Sequence, residues 1–180
     1  MRLMSPDPKA TRRYLIALGS NLRHARHGAP ERVLQATLST LASRGLTVLA
    51  ASPVMASAPI GPSLRRYANS AAVIARNLPP DVLLDLLKQI ERDFGRKRGG
   101  QRWASRVLDL DIVLWSGGAW SSPGLAVPHI AFRERSFVLA PATLIAPVWR
   151  DPITRLSLRQ LYARLTRPRP LPIGHRRWGP

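Results

Sequence analysis

Cysteine is absent from the 180-residue sequence, and acidic residues are scarce. The first absence excludes disulfide scaffolds, cysteine nucleophiles and thiolate metal sites. The second leaves 10 Asp and Glu against 28 Lys and Arg, a formal net charge of +18. No stretch approaches the roughly 20 consecutive apolar residues that a membrane-spanning helix needs. The opening MRLMSPDPKATRR has basic residues but no apolar signal core behind them, so a cytoplasmic protein with no membrane association is expected. Several phosphate and hydrolase signatures are also missing: no G-x-x-x-x-G-K-[ST], no kinase G-x-G-x-x-G, no H-E-x-x-H and no G-x-S-x-G.

What is present is enough for one domain with a proper core. The apolar share, 45%, is that of a globular chain rather than a disordered one. There is no internal repeat and no sign of a second domain. Residues 1–12 read as a disordered lead-in, 13–165 as the domain, and 166–180 as a basic, proline-rich tail. Such a surplus of arginine suits a polyanion, whether nucleic acid, acidic membrane or a nucleotide's phosphates. Compositional drift toward Arg explains it equally well.

Tyr14–Leu18 is a short apolar run stopped by Gly19-Ser20-Asn21, a strand and a turn. Pro30 opens a helix in which Val33, Leu34, Thr37, Leu38 and Leu41 recur at helical spacing, with Gly45 as the stop. Residues 46–51 are strand-like, 57–62 (SAPIGP) a loop, and 68–76 a second central strand. A second helix starts at Pro79-Pro80-Asp81, presents Val82, Leu83, Leu86, Leu87 and Ile90, and ends at Gly95. GRKRGGQ (95–101) is a basic, glycine-rich loop. Residues 109–115 form a strand, 116–123 a turn-rich crossing with a small hairpin through Ala119 and Trp120, and 137–145 and 156–165 the last helices. The order is βαββαβ, which predicts an antiparallel sheet with helices on one face.

The segment RWASRVLDLD (102–111) carries the chemistry. On a strand, Asp109 and Asp111 share one face while Leu108, Leu110 and Ile112 point to the other. Adjacent carboxylates repel and need cations, a shared proton or a metal. A structural salt-bridge cluster through Arg102 and Arg106 is one solution. A second is Mg²⁺, which takes one or two carboxylates plus substrate phosphates. Arg96, Lys97, Arg98, Arg102 and Arg106 surround the pair, and guanidinium forks suit phosphate oxygens. Carboxylates with arginines are what phosphoryl or pyrophosphoryl transfer requires.

RWASRVLDLDIV resembles the signature of the 6-hydroxymethyl-7,8-dihydropterin pyrophosphokinase family. ALGSNL (17–22), SAPIGP with YANSAAV (67–73), QIERDFGRKR (89–98), and VPH with RERSFVLAP (133–141) resemble further blocks of that family, in family order over roughly 13–165. The resemblance implies a ferredoxin-like α/β fold with additional C-terminal helices. It implies transfer of the β,γ-pyrophosphoryl unit of ATP to the hydroxymethyl group of the dihydropterin in folate synthesis, releasing AMP. Asp109 and Asp111 would hold two Mg²⁺ ions, and Arg96 and Arg106 would match the catalytic arginines. Arg98, Arg102, His129 and Arg135 would serve the ATP phosphates, with Ile112, Glu91 and Lys88 also on the nucleotide side. Tyr67 and Phe137 would stack on the pterin, Asn69 would read its edge, and Ser57, Ile60 and Trp103 would complete that end.

A pterin is flat, with hydrogen-bonding edges, so aromatic faces and an amide are what it needs. Taken singly, Tyr67 and Phe137 also fit plain core packing, Asn69 a satisfied strand amide, His129 a turn residue and Glu91 a solvated helix face. The chain departs from the family pattern at Ser57, Lys88, Gly124, Ala126 and Ile130, mostly at nucleotide contacts. A monomer acting on two small substrates is expected. The competing reading is a ferredoxin-like RNA-binding module, which needs exposed sheet aromatics. Nucleic acid is otherwise expected to bind only non-specifically, through charge.

Overall fold

The structure, a computed structural model, describes residues 11–57, 66–95 and 106–168. Its centre is β1 (Arg13–Ser20), flanked by β4 (Tyr67–Ala75) and β5 (Asp109–Trp115). β2 (Thr47–Ala51) forms the far edge beyond β4, giving the order β2-β4-β1-β5, antiparallel throughout. With α1 (Pro30–Ser43) between β1 and β2, and α2 (Pro80–Asp93) between β4 and β5, this is the ferredoxin-like βαββαβ arrangement. A short strand that the sequence pattern did not suggest, β3 (Met55–Ser57), also pairs with β4.

Strand parity builds two cores. Tyr14, Ile16 and Leu18 of β1 meet Val33, Leu34 and Leu41 of α1 and Leu83, Leu87 and Ile90 of α2. Leu15, on the opposite face, joins Ala71, Val73, Phe132 and Leu139. Each fully buried Leu or Ile contributes about 1.5–3 kcal/mol relative to exposure. β4 is buried on both faces, and small Ala68, Ala71, Ala72 and Ala75 flank Val73 and Ile74 along it. Both helices open on a proline and give way to a glycine in the left-handed region, Gly45 (φ 77°) and Gly95 (φ 88°). Such a backbone suits glycine because it has no Cβ to clash.

Three expectations are corrected. Helices cover both faces of the sheet: α3 (Ser136–Ile145) and α4 (Leu158–Thr166) bury Val138, Leu139, Ala142, Leu158 and Leu161 against the face opposite α1 and α2. A single sequence shows that a helix is amphipathic but not which sheet face receives it. Val82 is 45% exposed and takes no part in the apolar face of α2. The small hairpin lies further along than expected, pairing β6 (Trp120–Ser122) with β7 (Leu125–Val127) around Pro123 and Gly124.

β5 contains a bulge. Leu15 of β1 faces Leu114 and Ile16 faces Ile112, so Val113 is the extra residue. Val113 and Leu114 consequently both join the core under α3 and α4, and Trp115 returns to the other side. The Val113 carbonyl accepts the backbone N–H of His129 at 3.0 Å.

Candidate active site

A cavity of about 460 Å³ opens where the C-terminal half of β1 meets the start of β5 and the first turn of α3. Asp109 and Asp111 enter it side by side, as their i, i+2 spacing on β5 dictates, while Leu108, Leu110 and Ile112 lie in the core beneath. Arg106, His129 and Arg135 share the carboxylate end. Ser57, Tyr67, Asn69 and Phe137 form the other end. Nine residues expected from sequence are thereby brought to one cavity.

Three others are placed elsewhere. The Ile112 side chain is 2% exposed and packed in the core under α1 and α2. Lys88 is on the exposed face of α2. Glu91 is no solvated acid: at 2% exposure it lies behind β5 and accepts the Leu110 N–H at 2.7 Å, fixing the strand between the two aspartates. Ile60, Arg96, Lys97, Arg98, Arg102 and Trp103 lie outside the described residues.

Arg106 donates to Asp109 Oδ1 at 2.6 Å. Its backbone is held in turn by Asn21, whose Oδ1 accepts the Arg106 N–H at 2.7 Å and whose own N–H donates to the Arg106 carbonyl at 3.1 Å. In the sequence Asn21 reads only as a turn residue. Its signal was the polar end of ALGSNL on an otherwise apolar strand, but its partner lies 85 residues away.

Electrostatics set the protonation states. Burial pushes the Asp111 carboxyl above its usual value and the neighbouring Asp109 charge adds to this, while His129, Arg135 and Arg106 oppose it. His129 Nε2 and Arg135 NH1 each stand 3.9 Å from Asp111 Oδ2. Burial lowers the imidazole pKa of His129, and Arg135 does the same, against the pull of the aspartates. The Ala131 N–H donates to His129 Nδ1 at 3.2 Å. The neutral ring therefore carries its proton on Nε2, facing Asp111.

Among the described residues no group of three His, Cys, Asp or Glu side chains could ligate a metal. The donor set is a carboxylate pair open to the cavity, which fits a hard cation completing its shell with phosphate oxygens and water. At the opposite end Asn69, 5% exposed, donates from Nδ2 to Ser57 Oγ at 2.8 Å. Arg135 joins the two ends, its guanidinium 5.8 Å above the Phe137 ring.

The chemistry of this cavity is that of group transfer: a polyphosphate chain suits one end and a flat, edge-hydrogen-bonding acceptor suits the other. A sequence model of the 7,8-dihydro-6-hydroxymethylpterin-pyrophosphokinase (HPPK) family matches residues 15–147. The chain is 40% identical over 142 residues to the 2-amino-4-hydroxy-6-hydroxymethyldihydropteridine pyrophosphokinase of Pseudomonas aeruginosa, covering 78% of this chain and 84% of that protein. It is 38% identical over 133 residues to the protein of the same name from Haemophilus influenzae, covering 73% and 79%. Among solved structures, wild-type Plasmodium falciparum HPPK-DHPS with pteroate superposes with a TM-score of 0.64 at 12% identity, over 86% of this chain. The present chain spans 42% of the length of that longer one, and the likeness concerns the fold. The chain belongs to the HPPK family.

Proposed function

We propose that this cavity is where the chain performs the reaction for which its family is named, pyrophosphoryl transfer to hydroxymethyldihydropterin in folate synthesis, with ATP as co-substrate. One observation carries the assignment to the cavity. An aspartate pair backed by Arg106, His129 and Arg135 shares a single space with an amide and two aromatic rings. The hydroxymethyl oxygen attacks the β-phosphorus of ATP. A C–O–P linkage forms, the bond from the β-phosphorus to the α,β-bridging oxygen breaks, AMP leaves, and the hydroxyl proton passes to water.

Tyr67 and Phe137 supply faces for the pterin ring, and Asn69, steadied by Ser57, reads its edge. Arg106, Arg135 and the Nε2–H of His129 are the donors available to phosphate oxygens, in a partly enclosed site where such preorganised donors act strongly. Asp109 and Asp111 would hold Mg²⁺, which when bound neutralises charge on the phosphate chain. Both ends lie in one chain, in keeping with a monomer serving small substrates. Among the described residues no helix is long and apolar enough to cross a membrane. The RNA-binding alternative needs an open sheet face for stacking bases, and here both faces carry helices.

The test is incubation with Mg²⁺, ATP and 6-hydroxymethyl-7,8-dihydropterin, with chromatographic identification of the adenine nucleotide. AMP formed only when pterin is present supports the reading; ADP overturns it. For the acceptor end, Asn69→Ala is expected to weaken pterin binding about tenfold to a hundredfold, the cost of losing a buried amide's hydrogen bonds. Calorimetric titration with the pterin measures this. Unchanged affinity would remove Asn69 from the pterin site.

A further inference from the structure

The segment that delivers His129 and Arg135 is anchored from behind. Arg133 directs Nε and NH2 to the two oxygens of Asp151, each at 2.8 Å. Asp151 is fully buried, and its carboxylate also accepts the Ile153 N–H at 3.1 Å, the Thr154 N–H at 3.2 Å and the Thr154 hydroxyl. Burial alone would raise its pKa; the bonds from Arg133, Thr154 and Ile153 outweigh it and hold the group at about 2. Asp151 is thus a charged, fully bonded carboxylate at working pH. It is also the one acid in the 33 residues from 136 to 168 of a strongly basic chain.

A buried ion pair is a poor source of net stability, because desolvation offsets most of its attraction. Its geometry, however, is well defined, since a forked guanidinium meets a carboxylate in one plane. That geometry is transmitted over a short path. Arg133 sits in the 3-10 turn Phe132–Glu134, with its guanidinium 4.8 Å above the fully buried Phe132 ring. The Phe132 N–H donates to the His129 carbonyl at 3.2 Å, and the Arg135 N–H donates to the Phe132 carbonyl at 3.3 Å. The turn therefore fixes both residues that approach Asp111.

We propose that the Arg133–Asp151 pair is a positioning device for the nucleotide end, holding the turn so that His129 Nε2–H and the Arg135 guanidinium reach the cavity together. This rests on the reading of that end as the ATP site. Arg133 and Asp151 do not line the cavity, so they act through His129 and Arg135.

Arg133→Lys keeps the charge and loses the fork. In the full chain with Mg²⁺, the KM for ATP and the Kd for α,β-methylene-ATP are expected to rise about tenfold, the scale of one lost coupling between packed groups. Turnover at saturating ATP and pterin affinity should change less than about twofold to threefold, within the spread of uncoupled sites. In a His129→Ala/Arg135→Ala background the same substitution should leave nucleotide affinity unchanged. Thr154→Val, which removes one bond to Asp151 and leaves the ion pair, should shift ATP affinity the same way by less, and it decides the matter if Arg133→Lys fails to fold. A folded variant with wild-type ATP affinity overturns the proposal. So does equal weakening of ATP and pterin, or the full effect in the double-Ala background. If the wild-type chain itself fails to bind α,β-methylene-ATP, the ATP-site reading falls together with the pair; if it binds, only the pair is in question.

Discussion

Replacing Asp111 with asparagine is expected to lower pterin-dependent AMP formation about 10³-fold, because charge stabilisation by a carboxylate-held metal is worth several kcal/mol in the transition state. Asparagine keeps the size and one oxygen but loses the charge that a hard cation requires. The same change should leave the metal-free fold intact, and at neutral pH should make it more stable. Asp111 is pushed upward by burial and by Asp109. A carboxyl whose folded pKa lies above its unfolded value favours folding when protonated. That advantage is lost as pH rises through the folded value. At pH 7 the ionised group is a burden that the neutral amide would not carry. Below the unfolded pKa of about 3.9 the two proteins should match. Turnover assays with thermal denaturation at pH 7 and pH 3 check both halves. Wild-type turnover in a folded Asp111→Asn protein would refute the metal-holding role.

Arg106→Ala is expected to reduce kcat by about 10² to 10³, the usual loss when one preorganised donor to developing charge is removed. Three observations make Arg106 more than a loose surface cation. Its side chain is paired at 2.6 Å with Asp109, it lines the cavity, and Asn21 clasps its backbone in both directions. Pterin affinity should change less than about threefold, since the residues proposed to hold the pterin share no hydrogen bond with Arg106 among the described residues and sites without shared partners couple weakly. Arg106→Lys should recover only part of the loss, because an ammonium cannot reproduce the bidentate fork. Rapid-quench kinetics alongside pterin titration separate the effects. A change in KM alone, with kcat preserved, would move Arg106 from the chemistry to ground-state binding.

Local pattern accounts for much of what is legible in the sequence. β1, β4 and β5 read out as strands because their apolar residues are bounded by turn signals, and α1 and α2 because proline opens and glycine closes each one. The Asp109–Asp111 pair followed from strand parity alone. The grouping of Tyr67, Asn69 and Phe137 in one cavity followed from the resemblance to a family, since each is unremarkable as a single residue. What stayed hidden depends on the third dimension. Asn21 and Arg106 are far apart in sequence. The group that Glu91 holds is a backbone N–H, which no side-chain pattern announces. β3 has three residues, too few to show a period. Ile112 marks a tension between two kinds of reading: parity placed its side chain in the core, the resemblance placed it near the nucleotide, and the structure shows the side chain in the core.

The extra residue at Val113 serves a neighbouring loop and not the pairing of β5. Ile16 faces Ile112 and Leu15 faces Leu114, so the partners on either side of the bulge are already consecutive along β1. Deleting Val113 would therefore leave Asp109 and Asp111 on the cavity side and Trp115 beside Tyr14, against which it stacks at 6.4 Å. What the deletion withdraws is the carbonyl on which His129 hangs. Deleting Leu110 instead would move Asp109 by one place and turn it toward the apolar layer under α1 and α2. Insertions and deletions should accumulate in surface connections such as the Pro123-Gly124 turn, where only β6 and β7 must stay in step. Within β5 the count of residues before Ile112 encodes which side of the sheet is wet, and the one residue beyond that count supplies a backbone oxygen.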